Sequence, residues 1–97
     1  MVVGCLELAL HIEHSHSLKE KRSVVRRTVD RIRSRFGVAV AETGDNDLHQ
    51  RARIGVVAVS NDAALVNSIL DKVKAHVEDD LLGRAELVDA RFELIHW

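Results

Sequence analysis

Ser17-Leu-Lys-Glu-Lys-Arg-Ser-Val-Val-Arg-Arg-Thr-Val-Asp-Arg-Ile-Arg-Ser-Arg-Phe36 is followed at once by Gly37, and its periodicity predicts an α-helix over residues 17–36. Leu18, Val25, Val29, Ile32 and Phe36 recur at helical spacing and form one apolar stripe. Ser17 and Glu20 fit a capping box. The hydroxyl accepts one free N–H at the helix start, and the carboxylate reaches back to another. Gly37 is placed to end the helix, since glycine enters the left-handed conformation without a Cβ clash. Arg22 lies beside the stripe, where its stem can cover apolar surface while the charge stays in water.

The same stretch is strongly charged. Lys19, Lys21, Arg22, Arg26, Arg27, Arg31, Arg33 and Arg35 stand against two acids, Glu20 and Asp30, a local excess of +6 in a chain of net charge −1. The remaining residues therefore carry −7. Segregation of this kind produces a strong local field whatever the overall charge. Several cations along one surface can follow a phosphate backbone and release its counterions, and the planar guanidinium fork matches phosphate oxygens. Lys19, Lys21, Arg22, Arg26 and Arg27 are the candidate nucleic-acid contacts. The plainer reading of the same residues is a solvated face neutralised by acids elsewhere in the fold.

Working outward, residues 2–12 alternate as a strand, with Val2, Leu6, Leu8, Leu10 and Ile12 on one face and Gly4 in the same register. After the helix, residues 38–42 read as a short strand and 43–48 as a polar turn. Residues 53–59 are apolar on both faces, which suits a central strand. Ser60, Asn61 and Asp62 are N-cap candidates for a second helix over 63–77, whose inward residues are Val66, Ile69, Leu70, Val73 and Val77. Residues 85–95 make a last strand with Val88, Ala90, Phe92 and Leu94 on one face. The order βαββαβ, with right-handed crossovers, gives an α+β ferredoxin-like sandwich over a single domain, residues 1–97. Its sheet is four-stranded and antiparallel, of order 4-1-3-2, with both helices on one face.

Composition narrows the function. No apolar run is long enough to span a bilayer, and no Lys or Arg precedes the N-terminal apolar run as in a signal peptide; the expected location is cytoplasmic, with no membrane partner. Cys5 is the lone cysteine, which rules out an intrachain disulfide and reads as a small buried hydrophobe. His11, His14 and His16 cluster with Glu13, but their spacing matches no zinc pattern, and solvated loop histidines are the reading adopted. Asp45 and Asp47 resemble the start of a calcium loop, yet Val56 stands where the bidentate Glu is needed. No metal and no cofactor are expected. The chain lacks a P-loop, a dinucleotide fingerprint and a recognisable nucleophile setting. The loop at residues 14–17 also lacks the arginine with which acylphosphatases of this fold class hold phosphate. No catalytic residue is assigned and the chain is not read as an enzyme. The open sheet face would carry Val3, Cys5, Glu7, Ala9, Gly55, Val57 and Val59; without aromatics it does not fit base stacking of the RRM type. A semi-apolar face of this kind instead fits sheet-to-sheet packing in a homodimer.

Four blocks carry a family resemblance. Ser17-Leu-Lys-Glu-Lys-Arg22, Phe36-Gly-Val-Ala-Val-Ala-Glu42, Asp47-Leu-His-Gln-Arg-Ala52 and Val59-Ser-Asn-Asp62 resemble, in order, the YlxP-like family of small uncharacterised bacterial proteins, domain of unknown function 503. The third block departs from the family pattern at His49, where a Trp is expected. The resemblance implies a ferredoxin-like fold. It also implies an association with translation, because family members are often encoded beside translation-initiation and ribosome-maturation factors. It supplies no catalytic residue. The expected function is a non-catalytic RNA- or ribosome-associated protein. The rival is a homodimeric protein-interaction module that uses the open sheet face and has no nucleic-acid role.

Overall fold

Alternating apolar residues at the start of the chain and the capped basic segment after them fold as the periodicities require. In the computed structural model, which describes residues 1–97, the elements are β1 (Val2–His11), α1 (Leu18–Phe36), β2 (Ala39–Gly44), β3 (Arg51–Ser60), α2 (Ala63–Asp80) and β4 (Glu86–His96). The sheet has the order β2-β3-β1-β4, which is 4-1-3-2 read from the other edge, and every neighbouring pair is antiparallel. β3 is central, in keeping with its two apolar faces.

Val2, Leu6, Leu8 and Leu10 of β1 and Ala52, Ile54, Val56 and Ala58 of β3 are all buried on the helix side of the sheet. They meet Val25, Val29 and Ile32 of α1 and Val66, Leu70, Val73 and Val77 of α2 in one core. Gly4 lies in this layer because α2 passes directly over it: a Cβ there would stand 2.3 Å from Val66 Cγ1. The two helices are also tied to each other, with Arg31 ion-paired to Asp80 and the Phe36 and His76 rings edge-on at 5.5 Å.

Both helix starts are closed by side chains. Ser17 Oγ accepts from Glu20 N–H at 3.2 Å, and Glu20 Oε2 accepts in return from His16 N–H at 2.6 Å. Of the three candidates before α2, Asp62 is the cap; its Oδ1 accepts from Ala64 N–H and Leu65 N–H. Gly37 closes α1 at φ 60°.

Each edge strand carries one irregularity. Thr43 is an extra residue in β2, between Glu42 opposite Ile54 and Gly44 opposite Arg53. Val88 is an extra residue in β4, so Leu87 rather than Val88 stands opposite Leu10. The expected inward face of β4 is corrected accordingly. Val88 is exposed by the bulge, Phe92 is exposed at the sheet edge, and only Ala90 and Leu94 of the expected set pack on the core, joined by Leu87.

Candidate nucleic-acid interface

α1 is anchored through its apolar stripe, and that anchoring sorts its basic side chains into two groups. At about 100° per residue, Lys21 lies about 20° outside Ile32 and Arg22 lies about 20° outside Val29, on opposite borders of the stripe. The structure turns the helix toward the Lys21 border: Lys21 and Thr28 are buried, whereas Arg22 is exposed. Lys21 is therefore a correction to the expected set of phosphate contacts. Its side chain has 0% exposure, and its ammonium donates to Asp45 O at 2.6 Å and Asn46 O at 3.2 Å and pairs with Glu42 Oε2 at 3.1 Å. Two carbonyl acceptors and one counter-charge are what make a buried lysine tolerable.

The polar turn after β2 is shaped around that ammonium. Asp45 takes φ 59°, an uncommon value for a residue other than glycine. Asn46 Nδ2 donates to Glu42 Oε1 at 3.1 Å, closing the ring of contacts. Of the two acids that resembled the start of a calcium loop, Asp45 turns its carbonyl to Lys21 and its carboxylate to Arg53. No three His, Cys, Asp or Glu side chains converge on one point, and His11, Glu13 and His14 only line a shallow depression beside Arg84.

Three further cations of α1 are engaged within the fold. Arg31 pairs with Asp80, Arg33 donates to Val40 O at 3.0 Å and pairs with Asp30, and Arg35 lies over the Phe36 ring at 5.8 Å. Lys19, Arg22, Arg26 and Arg27 remain. All four are exposed, and none takes part in an ion pair. Together with Ser23 and Asp30 they line one shallow surface along the outer side of the helix. Spacings of three and four residues stack Lys19, Arg22 and Arg26 on adjacent turns, and Arg27 flanks Arg26. The result is a basic ridge about 12 Å long between Lys19 and Arg27, at 1.5 Å per residue.

The inward turn of Lys21, a residue expected among the phosphate contacts, left a trace in the sequence. Val24, outside the five residues assigned to the stripe, lies on the Lys21 side of it and is half-buried against the core. Counting Val24 moves the centre of the apolar arc toward Lys21. What the sequence could not supply is the acceptor set, which comes from β2 and the turn after it.

The topology defines a class, the ferredoxin-like α+β sandwich. Within that class the chain belongs to the family described as "Protein of unknown function (DUF503)", which matches residues 3–92. It is 34% identical over 77 residues to the "Uncharacterized protein YlxP" of Bacillus subtilis (strain 168), covering 79% of this chain and 84% of that protein. Among solved structures it is similar to SnoaB, a cofactor-independent oxygenase from Streptomyces nogalater, with TM-score 0.56 and 12% identity over 99% of this chain and 92% of that one. Protein YJCS matches with TM-score 0.59 and 10% identity over 97% and 99% of the two chains. A de novo designed protein with ferredoxin fold, LFR1 1, matches with TM-score 0.51 and 16% identity over 98% and 84%. At such identities these likenesses establish the fold alone. No helix of the chain is long and apolar enough to cross a membrane.

Proposed function

We propose that this chain is a non-catalytic RNA- or ribosome-associated protein, linked to translation and acting in the cytoplasm, that contacts phosphates through the outer side of α1. The observation that carries this reading is the division of charge on α1. Lys21 is enclosed, and Arg31, Arg33 and Arg35, though exposed, each have a partner within the chain, whereas Lys19, Arg22, Arg26 and Arg27 share one exposed surface and form no ion pair. Exposed guanidinium groups left unpaired on one line form the footprint of a phosphate backbone. A non-catalytic role is supported by the open sheet face, where Glu7, Thr43 and Arg53 are occupied with one another.

The test is binding to ribosomal subunits and to structured RNA across a salt series. Four engaged phosphates give a slope of log K against log salt of about −3. Changing Arg26 and Arg27 together to Glu should abolish the binding. Absence of binding at low salt, or binding indifferent to that double substitution, would reject the reading.

A further inference from the structure

The second feature of the molecule without a partner is the sheet face that points away from the helices. Pairing registers lay this face out in rows across β2, β3, β1 and β4. One row reads Ala39, Val57, Cys5, Glu93, and the next reads Ala41, Gly55, Glu7, Arg91. Beyond the first of these, Val59, Val3 and Ile95 form an uncharged end, with Val59 60% and Ile95 40% exposed.

We infer that this face is the contact surface of a homodimer, two copies of the chain packed sheet against sheet. The rows are self-complementary. A two-fold axis parallel to the strands and midway between β1 and β3 lays β3 over β1 of the second copy and β2 over β4. Val59 then meets Val3 of the second copy, and Val57 meets its Cys5. Two of the long charged side chains fall on small residues, Arg91 on Ala41 and Glu93 on Ala39, while Glu7 stays with Thr43 and Arg53 of its own copy and Thr43 covers Gly55. No two like charges in those rows are brought together.

Area and long-range charge agree with a second copy as the occupant. Strands about 4.8 Å apart, three of them about 33 Å long and β2 about 20 Å, present roughly 600 Å² before side-chain relief. A standard interface takes about 800 Å² from each partner. Packed sheets stand about 10 Å apart, with a helix layer outside each, so the two basic ridges end up about 30 Å from one another. That separation is about three Debye lengths at ordinary ionic strength, so their repulsion is screened. Association through α1 would set +6 against +6 instead.

The measurement is sedimentation equilibrium of the full chain over a wide concentration range, at low and high salt. Twice the 10.8 kDa chain mass is expected, undiminished by salt. Val59→Glu and Ile95→Glu alter exposed side chains and should each leave the circular dichroism unchanged while halving the mass. Arg26→Glu with Arg27→Glu should leave the dimer intact, so dimerisation and phosphate binding are tested separately. A chain mass of 10.8 kDa at every concentration overturns the inference. So does a dimer that survives both open-face substitutions, or one abolished by the α1 double substitution alone.

Discussion

The ammonium of Lys21 on α1 lies 3.1 Å from Glu42 Oε2 on β2, with the lysine side chain fully enclosed. Its other two contacts are the carbonyls of Asp45 and Asn46, so one side chain fastens the β2–β3 turn to the first helix. Lys21→Ala leaves a largely buried carboxylate without its counter-charge and two carbonyls without a donor. The expected loss is about 3 kcal/mol, read as a lower urea midpoint. Glu42→Ala should cost a similar amount, and the double substitution less than the sum, because the two share one interaction. An unchanged midpoint for Lys21→Ala would show that the ammonium does not hold the turn.

The ridge responds in the opposite sense. Arg26→Ala removes an exposed, unpaired side chain, so stability should stay within about 0.5 kcal/mol of the parent. Its salt slope for RNA should fall by about one. Lys21→Ala, measured at a temperature where it remains folded, should keep the parent slope. A lost slope unit in Lys21→Ala and none in Arg26→Ala would reverse the roles of the two side chains.

Gly4 is required by packing and not by backbone conformation. A methyl group there would meet Val66 Cγ1 at 2.3 Å and Leu70 Cδ1 at 2.7 Å, and both neighbours are buried. Gly4→Ala should therefore destabilise by about 1–3 kcal/mol through overpacking. Combining it with Val66→Ala opens the space, so the pair should cost less than the two single changes added. Additive losses would mean that the clash is relieved by a shift of the helix.

Asp62 accepts from two of the free N–H groups that open α2. Asp62→Ala should lower stability by about 1 kcal/mol, which corresponds to roughly 4–8 °C in Tm for a domain of this size. Asp62→Asn, which keeps an acceptor oxygen, should recover most of it. Equal losses for Ala and Asn would point to the charge rather than the hydrogen bonds.

Much of this architecture is legible in the chain because each element carries its own period. The alternation from Val2 to Leu10, the helical spacing from Leu18 to Phe36 and the two-sided apolar run around Ile54 specify element types, and their order specifies the topology. Boundaries are set by partners. β3 begins at Arg51 because it pairs with His11 of β1. α2 runs on to Asp80, where the carboxylate meets Arg31 and Arg84 and the next residue, Leu81, is buried. The exposure of Val88 comes from a bulge that alternation alone cannot reveal. For the basic helix, the sequence shows how much charge there is, whereas only tertiary contacts decide which cations stay free. Val24 tilts the stripe toward Lys21 rather than Arg22, but the groups that take the ammonium, Glu42 among them, come from β2 and the turn after it.

The composition of the ridge has a regulatory consequence. With Lys21 enclosed, Lys19 is the ridge's one exposed amine, and the other three cations are guanidinium groups. Acylating enzymes neutralise amines and leave arginine untouched. Lysine acetylation could remove at most one of the ridge's four charges, so its grip on an anionic partner is largely insulated from the acetyl-CoA state of the cell.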